Sequence, residues 1–102
     1  MYRARDRLTH REHLDALASA AASLDLGPTA VGHAEELFLN ILVETELAVR
    51  PAMGASIYAA SLIAGEHRSQ AAAADAVGVS RITVQNHWRR VLEVAGMEAP
   101  NW

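Results

Sequence analysis

Polar side chains of the kinds that contact nucleic acid are concentrated between residues 69 and 90. Hydroxyl, amide and guanidinium groups bind phosphate oxygens or form hydrogen bonds with the edges of bases. The candidate binding residues are Ser80, Arg81, Thr83, Gln85, Asn86, Arg89 and Arg90. These residue types favour a nucleic-acid-binding surface, and the alternative is the solvated polar face of a small helical domain.

The small and apolar residues of the same segment have the spacing of a helix-turn-helix. Ala74 is small enough for two helices to cross closely, and Gly78, four residues later, can adopt the positive φ of a sharp turn. Val84 lies six residues beyond Gly78 and would hold the second helix against the first. Ser69 and Ser80 can cap the two helices. The first turns of the second helix would then face outward.

Helix signals occur five times along the chain, and no segment shows the strict alternation of a half-buried strand. A capping box of Thr9 and Glu12 predicts that the first helix begins near residue 10. Gly27 is expected to end it in a left-handed conformation. The second helix is expected from residue 28 or 29, and Pro51 is expected to interrupt the chain after it. The other helices are expected at about residues 52–64, 70–77 and 81–95.

The third predicted helix is apolar on every face, which indicates that the other helices surround it. The fifth helix is expected to bury one stripe, formed by Val84, Trp88, Val91, Leu92 and Ala95. The predicted fold is therefore all-α, with five helices around a central apolar one. Residues 9–97 are expected to form one domain, between a basic arm at 1–8 and a short tail at 98–102.

Composition excludes several classes of protein. The 102 residues are 51% hydrophobic and 21% charged, as in an ordinary globular domain. The absence of cysteine excludes disulfides, a cysteine nucleophile and zinc sites built on thiolates. No apolar run is long enough to span a bilayer and no signal core follows the N-terminus, so we expect a cytoplasmic protein without membrane contact.

Charge is distributed unevenly along the chain, whose net charge is −3. Residues 12–65 carry seven acids against Arg50, whereas residues 66–95 carry four arginines against three acids. The C-terminal third is therefore the better nucleic-acid surface. An N-terminal cluster of Arg3, Arg5, Arg7 and Arg11 is either an arm that contacts phosphates or an acidic protein, or a solvated terminus. Trp102 either packs on its own domain or marks an interface.

Evidence for catalysis or metal binding is weak. His10 and His13 lie on one helical turn, but no third ligand has a diagnostic spacing. His87 is interpreted as a partly exposed helix residue, with stacking on a base as the alternative. There is no glycine-rich phosphate loop and no serine in a nucleophile elbow. We therefore expect no enzyme activity, no metal and no cofactor.

Three longer segments resemble the last part of archaeal transcription initiation factor B. They are Pro51-Ala-Met-Gly-Ala-Ser-Ile-Tyr-Ala-Ala-Ser-Leu, Glu66-His-Arg-Ser-Gln and Val79-Ser-Arg-Ile-Thr-Val-Gln-Asn-His-Trp. Leu24-Asp-Leu-Gly-Pro and the acidic second helix are similar to the start of the same repeat. The resemblance covers about residues 10–97 and implies one five-helix cyclin-like repeat that ends in a helix-turn-helix.

The resemblance also implies a function, a DNA-binding transcription regulator. Such a repeat places its helix-turn-helix in the major groove of double-stranded promoter DNA beside TATA-binding protein. By position, Ser69 and Gln70 would approach the DNA backbone, and Ser80, Arg81, Thr83, Gln85 and Asn86 would face the groove. The zinc ribbon that recruits polymerase is missing. Ala71, Ala72, Gln85 and His87 stand where that family tends to place basic residues, so weaker DNA binding is expected.

Two alternatives belong to other classes of function or fold. The first is a protein-interaction module that binds TATA-binding protein, polymerase, a full factor or a second copy of itself, as a homodimer, without intrinsic affinity for DNA. The second is a helix-turn-helix of the bacterial quorum-regulator type. That type would share Val79-Ser-x-x-Thr-Val-x-Asn-His but would not explain the three preceding helices.

Overall fold

A computed structural model describes residues 10–97, which form five α-helices and no β-strand. The helices are α1 (Arg11–Ser23), α2 (Pro28–Glu44), α3 (Val49–Ile63), α4 (Gln70–Val77) and α5 (Arg81–Val94). The predicted all-α fold with five helices is confirmed. The arm at 1–8, Thr9 and the tail at 98–102 with Trp102 lie outside the described residues. Within residues 10–97, no helix is long and apolar enough to cross a membrane.

Helix α3 lies at the centre of the fold, as its apolar sequence predicts. Every residue from Ala52 to Ser61 is buried, and α3 packs against each of the other four helices. The helix begins at Val49, three residues earlier than expected, and Pro51 lies in its first turn. The expected interruption at Pro51 is therefore wrong. N–H groups in the first turn of a helix have no acceptor within it, so proline is tolerated there.

Helix α5 covers α3 with the stripe that its sequence predicts. Val84, Trp88, Val91 and Leu92 are buried, and Ala95 is half-buried. The Trp88 ring meets the ring of Tyr58, on α3, edge to face with 5.4 Å between centroids. Offset aromatic contacts of this kind add to the free energy gained by burying the rings. The inner face of α5 is thereby fixed, which determines the face that remains exposed.

The connection between α1 and α2 differs from the prediction. The left-handed residue is Asp25, with φ 57°, whereas Gly27 is extended and forms the N-cap of α2. The Gly27 N–H donates to Oε1 of Glu66 at 2.9 Å, and a Cβ on Gly27 would lie 3.3 Å from both carboxylate oxygens. The Glu66 carboxylate thus lies close against Gly27, and the chain reverses two residues earlier, at Asp25.

Arg68 joins this connection to the link between α3 and α4. Its Nε donates to the carbonyl oxygen of Leu24 at 2.7 Å, and its Nη2 donates to that of Asp25 at 3.1 Å. Its Nη1 donates to the carbonyl oxygens of Glu66 and His67, each at 3.1 Å. Guanidinium groups suit such forked contacts because they present five N–H donors in a plane. Arg68 therefore stabilises the fold and contributes little to a nucleic-acid surface.

Candidate nucleic-acid interface

Helices α4 and α5 form the expected helix-turn-helix, joined by residues 78–80. Gly78 adopts φ 76°, and the Val79 N–H donates to the carbonyl oxygen of Ala74 at 3.0 Å. The Gly78 N–H donates to the carbonyl oxygen of Asp75 at 3.4 Å, which completes a Schellman motif. Only glycine adopts this backbone conformation at little cost. The sharp turn predicted at Gly78 is therefore present.

Gly54 on the central helix determines how closely this unit approaches α3. A Cβ on Gly54 would lie 3.0 Å from Cγ2 of Val77, at the end of α4. It would lie 3.3 Å from Cγ2 of Val84 on α5 and 3.4 Å from Cγ2 of Val79 in the turn. Three valines from the two helices and their turn thus meet at one glycine. Sequence patterns did not identify this contact, because Gly54 lies 23 or more residues away from each valine.

One exposed stripe follows α5 from its first turn for more than two turns. Its length is about 13 Å at a rise of about 1.5 Å per residue. Five of its members were predicted as binding residues, and the sixth, Ile82, was not. The members of this stripe are Arg81, Ile82, Gln85, Asn86, Arg89 and Arg90. Ile82 is 53% exposed and is the one aliphatic member of this stripe.

The predicted serines lie at the two helix starts, where both are N-caps. Oγ of Ser69 accepts from the Ala72 N–H at 3.0 Å, and Oγ of Ser80 accepts from the Thr83 N–H at 3.2 Å. The hydroxyl of Thr83 lies 2.9 Å from that of Ser80. These hydroxyls therefore hold the helix starts in place. Other N–H groups of each first turn have no acceptor within the helix and can bind a phosphate oxygen.

Gln70 and Gln85 contact each other, although they belong to different helices. The Nε2 of Gln70 donates to Oε1 of Gln85. Gln70 is the first residue of α4 and half-buried, while Gln85 is exposed on the second turn of α5. The two residues were predicted to contact different parts of the DNA. The hydrogen bond instead makes them one structural unit.

Four arginines lie on or beside the helix-turn-helix. Arg81 and Arg90 are exposed and make no side-chain hydrogen bond with another residue in the range 10–97. The guanidinium of Arg89 lies over the Trp88 ring, 4.8 Å from its centroid, so its position is restricted. Arg50 was not predicted, yet its Nη1 lies 3.8 Å from the position of a Cβ on Gly78. The first helix turn of α3 thus adds positive charge near the turn.

The described residues contain no group of three or more histidine, aspartate or glutamate side chains placed to hold a metal ion. His10 and His13 stack on each other with 6.0 Å between ring centroids. His87 is half-buried on α5, next to the buried Trp88. Among residues 10–97, the predicted DNA-binding candidates lie at the helix-turn-helix, and the two predicted histidine ligands lie beside each other at the start of α1.

No family model matches this chain, and no curated protein matches it. Its function has to be inferred from the side chains of the surface just described.

Proposed function

We propose that this protein is a transcription regulator that binds double-stranded promoter DNA through the first turns of α5. The observation that carries the proposal is the exposed stripe of α5, which combines guanidinium and amide groups opposite a face fixed in the core. Such a helix can enter the major groove, whose width of about 12 Å admits an α-helix. The binding residues would be Ser69, Gln70, Ser80, Arg81, Thr83, Gln85, Asn86, Arg89 and Arg90, together with Ile82.

The roles of these residues follow from their positions. Arg81 and Arg90 would bind phosphates, because they are exposed and carry a permanent charge. Gln85 and Asn86 would contact bases, since amides can both donate to and accept from base edges. The N–H groups at the starts of α4 and α5 would bind further phosphate oxygens.

The resemblance to archaeal transcription initiation factor B supports promoter DNA as the target and TATA-binding protein as a partner. It also supports a cyclin-like repeat as the arrangement of the five helices. We propose that this regulator occupies or modifies a promoter complex and acts in the cytoplasm.

Two substitutions separate sequence recognition from general attraction to DNA. Gln85→Ala should reduce the preference for the selected sequence, with a discrimination loss of about 0.7–1.4 kcal/mol at one base pair. Arg90→Ala should instead weaken binding to all duplexes almost equally and reduce the slope of log affinity against log salt by about one unit. Fluorescence anisotropy measures both effects. The duplexes compared either carry or lack the preferred sequence, and each is titrated at several salt concentrations, with and without TATA-binding protein.

Glu36→Ala is the matched control for these variants. It changes an exposed charged residue on α2 and should leave base preference unchanged. If neither Gln85→Ala nor Arg90→Ala alters binding, α5 is not the contact surface. If the folded wild type binds no duplex at low salt, DNA binding itself is refuted.

A protein-interaction module is the second candidate, and Ile82 would then be a contact residue. A partner protein, such as TATA-binding protein or a second copy of the chain, would cover this exposed side chain. In a DNA complex the same side chain would instead contact the methyl group of a thymine. Val43 is a useful comparison, since it is a similar aliphatic residue, 44% exposed on α2.

Deoxyuridine in place of thymine distinguishes these two roles of Ile82, because it removes only the methyl group. When deoxyuridine replaces one particular thymine, the DNA affinity of wild type and of Val43→Ala should each fall about 2- to 5-fold. This factor corresponds to the free energy of burying roughly one methyl group. Ile82→Ala should lose nothing further at that thymine. Equal losses in all three proteins would show that Ile82 does not contact that methyl group. A pull-down that compares wild type with Ile82→Ala on purified TATA-binding protein would then test a protein interface.

A further inference from the structure

Gln70 and Gln85 are the only glutamines in the sequence, and they are hydrogen-bonded to each other. We propose that Gln70 is a positioning residue that sets which end of the Gln85 amide faces DNA, so that Gln85 selects a base presenting hydrogen-bond acceptors. This inference rests on the proposed DNA-binding function. It assigns to the surface a chemical preference that its residue types alone do not specify.

The polarity of the amide follows from the direction of the hydrogen bond. Nε2 of Gln70 donates to Oε1 of Gln85, so the carbonyl end of the Gln85 amide is directed at α4. In a planar amide the oxygen and the NH2 group are attached to the same carbon, and one of the two N–H bonds is cis to the oxygen. With its oxygen directed at α4, Gln85 therefore presents its other N–H donor away from α4. Acceptors in the major groove are N7 and O6 of guanine, N7 of adenine and O4 of thymine. Guanine presents two adjacent acceptors and is the expected preference.

Gln70 is well placed to act on Gln85 because its own backbone is held. The Ser69 hydroxyl caps α4 one residue earlier, and Ala73 and Ala74, later in the same helix, are buried in the core. Gln70 is half-buried, whereas Gln85 is exposed. Without Gln70, rotation of the terminal amide would let Gln85 offer either its oxygen or its NH2 group, and base preference would fall.

Asn86 is a matched control, because it is the neighbouring exposed amide on α5. It makes no side-chain hydrogen bond within the described part of the chain. Asn86→Ala therefore removes an amide from the same surface without changing the Gln70–Gln85 pair. Because Asn86 is itself a proposed base contact, Asn86→Ala should lower DNA affinity while the Gln70–Gln85 hydrogen bond remains.

The test compares wild type, Gln70→Ala, Gln70→Glu and Gln85→Ala on duplexes that differ at one base pair. A library of duplexes yields the preferred sequence, and loss of preference in Gln85→Ala locates the base pair. Wild type should prefer guanine there by about 3- to 10-fold, as expected for one net hydrogen bond. With 7-deazaguanine, which lacks the N7 acceptor, wild type should lose a similar factor. Gln70→Ala should reduce the preference to less than about 2-fold.

Gln70→Glu is the decisive variant because a carboxylate only accepts hydrogen bonds. Gln85 must then turn its NH2 group toward Glu at position 70 and present its oxygen to the DNA. The preference should shift to a base with an amino group, cytosine or adenine. The added negative charge weakens binding to every duplex, but it cancels in the ratio of affinities measured for one variant.

A spectroscopic readout without DNA checks that the pair forms in solution. With only two glutamines, the side-chain NH2 signals of Gln85 are readily assigned in ¹⁵N–¹H spectra. Gln70→Ala should shift those signals and leave the signals of Asn40, on α2, in place. Unshifted Gln85 signals would overturn the proposal.

The failures of the two proposals differ in what is observed. Sequence-specific binding in which Gln70→Ala and Gln70→Glu keep the wild-type preference overturns the role of Gln70 and leaves the proposed function intact. If Gln70→Ala lowers the affinity for all duplexes equally, the proposed role of Gln70 is likewise overturned and the proposed function remains intact. If wild type binds no duplex, the proposed function fails and the inference fails with it.

Discussion

Gly54→Ala should be about 1–3 kcal/mol less stable than Gly32→Ala, although both variants add one methyl group inside a helix. Alanine is a better helix former than glycine by about 1 kcal/mol, and this gain is common to both positions. At Gly32 nothing lies within 4 Å of the new Cβ, so the gain should be realised as increased stability. At Gly54 the new Cβ would lie 3.0 Å from a methyl group of Val77. Valine side chains are stiff, so α4 or α5 must move.

Urea denaturation of both variants measures this difference. Gly54→Ala should also lower DNA affinity by more than the increase in the unfolded fraction explains. The reason is that the contact of position 54 with Val77, Val79 and Val84 sets the position of the helix-turn-helix. Gly32→Ala should bind DNA like wild type. Equal stabilisation by the two substitutions would show that α3 does not restrain the approach of α4 and α5.

Arg68→Met should lower the free energy of unfolding by about 2–3 kcal/mol, since hydrogen bonds from a charged group contribute roughly 1.5–3 kcal/mol each. Four backbone carbonyl oxygens accept from this guanidinium, at Leu24, Asp25, Glu66 and His67. Two of these hydrogen bonds are exposed, and water replaces them in part. The expected loss is therefore much smaller than the sum of four. Methionine retains most of the aliphatic packing, so the change reports on the hydrogen bonds.

Arg68→Lys and Arg81→Met are the controls for this measurement. Lysine keeps the charge but cannot span carbonyls on two separate connections, so Arg68→Lys should recover less than half of the loss. Arg81→Met removes an exposed arginine from α5 and should change stability by less than about 0.5 kcal/mol. The DNA affinities should show the opposite order, with Arg81→Met the more damaging. Arg68→Met with wild-type stability would mean that the link is held by other contacts.

The surface could be predicted from the sequence as far as local rules apply. Serine before a helical run is a strong capping signal, and both Ser69 and Ser80 act as caps. Burial of Val84 and Trp88 determines the outer face of α5, so the exposed positions of Arg81, Gln85, Asn86 and Arg90 followed from helical periodicity. The exposed position of Ile82 could not be predicted, because an aliphatic residue in a helical sequence indicates burial.

The sequence by itself determined the number of helices, their approximate ends and the apolar centre, because these depend on interactions within a few residues. Tertiary structure decided what depends on contacts between distant residues. The Gly27 N–H donates to the distant Glu66 carboxylate, and Gly54 lies where three valines of the helix-turn-helix meet. Gln70 and Gln85 are fifteen residues apart, and only the packing of α4 on α5 joins their amides. Side-chain contacts of this kind leave no periodic pattern in the sequence, because each depends on how two segments that are distant in sequence pack against each other.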